Sequence, residues 1–213
     1  MSSPTPPNKR MYDDVKMHIP GLTDAVYKQM LYHVMNDFLS MTNIWQEEVP
    51  IAVAPPETTY PFTVSHAGSP MRLMLLYDAA TAGPGKHWVQ GGATMRKPGV
   101  IVVPVAPNQA ATWNAVVSKT LDTVGSEGYF DMEPDDWWIL DQYGDGVIYG
   151  ILGRLMHMPS KPYTNAKLAG EYWQTYVAER GKARTDALHA NVYGGQRWSF
   201  PQSFATPHRK GWV

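Results

Sequence analysis

Six acidic side chains crowd one stretch of the chain: Asp131, Glu133, Asp135, Asp136, Asp141 and Asp145. Carboxylates this close together suit a hard cation such as calcium, and Asp145-Gly146 resembles part of a calcium loop. A calcium-binding helix–loop–helix needs acids at alternate loop positions and a closing glutamate, and that spacing is absent. Helix capping accounts for the group better. Glu133-Pro134-Asp135-Asp136 puts proline in a first turn and acids at the positive end of a helix dipole. Asp141 and Asp145 then fall one turn apart on a solvated face. The seven histidines form no H-x-H or H-E-x-x-H pair, so zinc has no support. His66 and His87 could meet across strands near the acids of 131–136, but no spacing ties them into a hydrolytic site. No G-x-S-x-G elbow is present. Gly83-Pro84-Gly85-Lys86 lacks the spacing of a phosphate loop and reads as a hairpin turn. The chain has no cysteine, which excludes disulfides, thiolate nucleophiles and Cys-based metal sites. The expectation is a non-enzymatic chain with no metal and no cofactor.

The residues suited to binding are of another kind. The tail 191–213 sets large aromatics on flexible, glycine-containing backbone: Tyr193, Trp198, Phe200, Phe204 and Trp212, with Arg197 and Arg209 among them. Such side chains bury much area at little entropic cost, which is what a docking peptide needs. From Arg180 onward the chain is also basic, with Lys182, Arg184 and Lys210 against Asp186. An acidic partner surface or nucleic acid would suit it, and a tail folded back on its own domain is the alternative. A second set lies in the strongest helix of the chain. Gly144, Gly146, Gly150 and Gly153 each cost about 1 kcal/mol relative to alanine in a helix. Close approach to another helix, within the chain or across a subunit boundary, would justify them. Gly146, Gly150 and Gly153, with Tyr172 and Tyr176 on the next helix, are therefore candidates for inter-subunit packing. A different reading gives the middle of the chain a ligand, with Trp88 and Tyr60 exposed to stack on a sugar.

The elements that must position these residues are legible from periodicity. With 213 residues the chain can bury one sizeable core. Charged residues make up only 17%, against about 25% in ordinary globular proteins, so apolar surface must be hidden within the chain or against partners. The net charge of −1 does not suggest a dedicated nucleic-acid binder. No apolar run approaches the length of a membrane span, and the polar, Pro-rich start has no signal-peptide character. Residues 1–20 are expected to be an N-terminal arm. Thr23 or Asp24 caps a first helix with Leu22, Val26, Met30, Leu31, Val34, Met35 and Phe38 on one face. Residues 43–106 alternate short β-type runs (49–54, 60–64, 71–77, 87–90 and 100–105) with Pro and Gly, as an inserted antiparallel module does. The apolar run in 72–78 is expected to be a central strand, covered on both sides. Trp113, Val116, Val117 and Leu121 suggest a helix over 108–121. The strongest helix runs from 134 to 157, with Leu140, Val147, Ile148, Ile151, Leu152 and Leu155 buried, and Pro159 to Pro162 stop it. Thr164 or Asn165 caps the last, over 165–190, with Leu168, Tyr172, Tyr176, Ala183 and Ala187 inward. The fold class expected is α+β. A helical bundle core of about four helices, 21–42 and 107–190, carries the β module 43–106 and extended N- and C-terminal arms.

One stretch has a familiar layout. Trp137-Trp138-Ile139-Leu140 leads into Asp145-Gly146-Val147-Ile148-Tyr149-Gly150-Ile151-Leu152-Gly153-Arg154-Leu155. Met158-Pro159-Ser160-Lys161-Pro162-Tyr163-Thr164-Asn165 follows, then a helix with an aromatic face. This resembles head–tail adaptor (connector, head completion) proteins of tailed bacteriophages, mainly over 130–190. The resemblance implies a virion protein of the neck, at the head–tail interface, assembled in the host cytoplasm. It implies a homo-oligomeric ring, usually a dodecamer, that docks on the portal protein and meets tail or neck proteins. Genomic DNA would pass through the channel without sequence-specific binding, and no membrane is involved. The tail, through Tyr193, Arg197, Trp198, Phe200, Phe204, Arg209 and Trp212, would reach the portal or a neighbouring subunit. The β module would face outward or towards the tail.

Overall fold

The computed structural model describes residues 7–64, 68–81, 92–121 and 137–190. The fold is α+β: among the described residues, four α-helices and two three-stranded antiparallel sheets. The helices are α1 (Pro7–His18), α2 (Asp24–Thr42), α3 (Trp138–Met156) and α4 (Ala166–Ala190). The strands are β1 (Gln46–Val53), β2 (Thr59–Pro61), β3 (Ser69–Asp78), β4 (Thr94–Lys97), β5 (Val100–Val102) and β6 (Ala111–Thr120).

Helix α2 follows its apolar spacing. Thr23 takes the extended N-cap conformation, and Asn43 ends the helix at φ 53°, its N–H donating to the Leu39 carbonyl at 3.0 Å. Residues 7–18 correct the expectation of an arm. Pro7 opens a first turn, and Met11, Val15 and Ile19, spaced by four, form one buried stripe. The polar composition around them hid that stripe. Residues 1–6 and 191–213 lie outside the described residues.

The second correction concerns 108–121, which is strand β6 and not a helix. Trp113, Val116, Val117 and Leu121 fit a helical period, but Trp113, Ala115 and Val117 also alternate, and Thr112, Val116, Val117 and Thr120 are β-branched. Pairing decides between the two periods. β6 is the centre of the sheet β1-β6-β3, with Ile51 opposite Trp113, Val49 opposite Ala115 and Leu73 opposite Val117. The β module therefore extends to Thr120, and helix resumes only at Trp138 among the described residues. β3 is correspondingly an edge strand of the described sheet rather than its centre. Its register shifts at Pro70/Arg72 and Leu73/Leu75 break the alternation, which is why its apolar residues run consecutively. The strand expected at 87–90 lies outside the described residues.

A second sheet, β2-β5-β4, packs on the first. Val49, Ile51, Val53, Tyr60, Phe62, Leu76, Ile101, Val103, Trp113, Ala115 and Val117 fill the space between them. The helices bury a separate cluster, which includes Trp45 and Leu121 at the foot of the module. At that foot Gly68 has φ +101°, and a Cβ there would lie 2.7 Å from Trp45 Cη2 and 2.8 Å from the Thr120 carbonyl oxygen. Gly68→Ala is expected to cost about 2 kcal/mol, from strained backbone plus a clash with main chain that cannot yield. A lower denaturant midpoint at unchanged m-value would show it.

Candidate functional site

The residues that carry the resemblance form one helical hairpin. Its turn is tied by Thr164, whose Oγ1 donates to the Met158 carbonyl at 2.6 Å, and by the Asn165 N–H, which donates to the Met156 carbonyl at 3.0 Å. The Asn165 side-chain oxygen accepts from the Leu168 N–H at 3.1 Å and caps α4. In α3 all six residues expected to be inward are buried, while Asp141 and Asp145 are exposed one turn apart. In α4, Tyr176, Ala183 and Ala187 are buried and Leu168 and Tyr172 partly so; Ala169 and Trp173 join them.

The glycines form the seam of the hairpin. A Cβ on Gly146 would lie 2.9 Å from Glu179 Cβ. On Gly150 it would lie 2.7 Å from Val34 Cγ1 and 2.9 Å from Tyr176 Cδ2. On Gly153 it would meet the backbone of α4, at 3.2 Å from Trp173 N and 3.3 Å from Ala169 O. Close approach is thus real, but the partners are α2 and α4 of the same chain. Gly146, Gly150, Gly153 and Tyr176, the candidates for inter-subunit packing, are thus buried in contacts within one subunit. Tyr172 is half-buried, stacked on Tyr149 with ring centroids 5.8 Å apart.

Polar clasps fix the helices around this seam. Tyr176 Oη donates to Asp37 Oδ2 at 2.6 Å, and Arg180 Nη1 donates to the same oxygen at 2.6 Å. Tyr143 Oη donates to Asp186 Oδ2 at 2.9 Å. Burial, then the hydrogen bond to Asp186, pushes the Tyr143 phenol up to about 12. Burial and then Asp37 raise Tyr176, and burial followed by Asp14 and Asp24 raises Tyr27. A raised phenol pKa favours the protonated, folded form. The stability it contributes is complete below the unfolded value of 10.0 and is lost as pH rises from there through about 12. The fold is therefore expected to weaken steeply above pH about 10. Tyr143→Phe should lessen that slope, read as thermal midpoints against pH.

No protein-family model and no curated protein matches the chain.

The other face of α4 is the part that sequence reading missed. Gly170, Gln174, Val177, Gly181, Thr185 and Leu188 follow one another at three- and four-residue spacing on the exposed side. Val177 is 40% exposed and Leu188 57%, and a Cβ on Gly170 or Gly181 would meet no described residue within 4 Å. The signal was available: these glycines are out of phase with Tyr176 and Ala183. Trp138 is exposed at the N-terminus of α3.

The remaining candidates are placed as follows. Tyr193, Arg197, Trp198, Phe200, Phe204, Arg209 and Trp212 lie outside the described residues, as do His66, His87, Trp88 and the acids of 131–136. Tyr60 is 2% exposed, its hydroxyl donating to the Glu57 carbonyl at 2.6 Å, so it offers no face to a sugar. Among the described residues no three His, Cys, Asp or Glu side chains gather around a metal-sized space. No helix among them is long and apolar enough to cross a membrane.

Proposed function

We propose that the chain is a virion structural protein, a head–tail adaptor of a tailed bacteriophage, whose copies form a ring that docks on the portal and receives the tail. The observation that carries this reading is the outer face of α4. Two glycines there lower helix stability by about 1 kcal/mol each, and among the described residues a Cβ on either would meet no neighbour. With the exposed Val177 and Leu188 they form a strip along α4 where a second helix can approach closely. A subunit whose inner seam is closed and whose outer face is open suits lateral association in a ring. The likeness of 130–190 to the adaptor family points the same way. The tail 191–213 is the portal-docking segment in this reading, and DNA passes through the ring without base-specific contacts. No catalysis is invoked.

The test uses electron microscopy and light scattering of three proteins, each with and without purified portal. The full chain should give symmetric rings on portal. Val177→Asp should remain folded but lose the rings, and deletion of 191–213 should lose portal binding. A chain that stays monomeric with portal present, or a deletion that binds portal as well as the parent, would overturn the assignment.

A further inference from the structure

The helices and the β module bury apolar clusters that share no residue. Trp45 joins them through its ring on one side and its main chain on the other. Trp45 is 2% exposed and packs in the helical cluster, yet its carbonyl accepts the Lys119 N–H at 2.8 Å, continuing the β1–β6 ladder. Gly68 closes against the edge of its ring. Its face is covered by Lys119, whose ammonium lies 4.3 Å from the ring centroid. The Lys119 side chain is 1% exposed, and its Nζ donates to Glu47 Oε2 at 3.0 Å. Beside this cluster Asn36 of α2 accepts from Thr120 Oγ1 at 2.7 Å and from the Leu121 N–H at 3.2 Å.

A fully buried lysine is an expensive way to fill the space, and an apolar residue of similar length would fill it without desolvating a charge. What the cation adds is direction. Apolar burial is non-directional, so two bodies joined by it alone can slide and tilt. An ammonium must meet the carboxylate of β1 and the face of the indole at once, which a single geometry satisfies. We propose that Lys119, Glu47 and Trp45 form an orientation lock, which holds the β module at one angle on the helical base. Trp45 is the hub, with its ring in one body and its main chain in the other. Lys119 is the catch that grips the ring face, and Glu47, also on the module side, holds its ammonium there.

The absence of native cysteine allows a direct measurement. Spin labels placed by Ala52→Cys on the exposed side of β1 and Gln174→Cys on the exposed side of α4 report the distance between the bodies. Dilution with unlabelled chain removes distances between subunits. The parent should give one narrow distribution. Glu47→Met with Lys119→Met should keep the fold but broaden the distribution by about twofold or split it, because more than one orientation is then populated. Glu47→Gln, which keeps shape and loses charge, should broaden it less and supplies the reading if the double variant does not fold. Val103→Ala, inside the module core, should leave the width unchanged. Narrow distributions in the charge variants would overturn the lock. Equal broadening by Val103→Ala would do so too, since the effect would then follow lost stability.

Discussion

Gly150→Ala is expected to lower stability by about 2 kcal/mol, while Gly181→Ala in the next helix raises it by about 1 kcal/mol. The substitution is the same, both sites are helical, and propensity alone predicts a gain at each. At Gly181 no described residue lies within 4 Å of the new methyl group, so propensity decides. At Gly150 the methyl group would sit 2.7 Å from Val34 Cγ1 and 2.9 Å from the Tyr176 ring, both fully buried. Neither can turn away. Val34 is fixed in α2, and Tyr176 is tethered through its hydroxyl to Asp37 and to the Val34 carbonyl. The methyl group must therefore push α3 off its neighbours, a strain of the order that overpacked cores show. Gly150→Val should cost about 3 kcal/mol or more by the same route, and Gly170→Ala should behave like Gly181→Ala. Urea unfolding of the four variants reads these differences directly. A stabilised Gly150→Ala would mean that α2, α3 and α4 do not meet there.

Those signs show what was legible in the sequence. Helices α2, α3 and α4 were readable because long apolar stripes at one period leave little choice, and their observed bounds depart from the expected ones by a few residues at most. β6 was not readable, because Trp113, Val116 and Val117 satisfy two periods, and only the strands on either side choose between them. α1 escaped because three apolar residues in a polar context look like an arm until a helix packs on them. The glycines of α3 announced close approach, but a glycine does not name its partner. The contact proved internal at Gly146, Gly150 and Gly153, and the open glycines of α4 went unremarked. Tyr60 shows the same limit from the other side. An aromatic residue in a short strand can equally stack on a ligand or fill a core, and the pairing of Tyr60 with Ile101 turns it inward.

Lys119 is where the two kinds of information part company most. Lysine is rarely fully buried unless it is paired. In the structure Lys119 is among the most buried side chains of the chain. Lys119→Met should cost about 3 kcal/mol, because it takes the lysine from a Glu47 carboxylate that is only 11% exposed. The loss should not represent the worth of the ion pair. Replacing both partners, Glu47→Met with Lys119→Met, removes the stranded charge and fills the same volume, so the double variant should return to within about 1 kcal/mol of the parent. The coupling in the four-protein cycle should accordingly be large, about 2 kcal/mol or more, with the two singles each worse than the pair. Denaturant midpoints measure all four states. If the double variant falls as far as the sum of the singles, the ammonium and the carboxylate act separately, and each holds the module to the helices through contacts of its own. If the double recovers, the pair contributes almost nothing to stability, and the reason for burying two charges beneath Trp45 must lie in the geometry they impose.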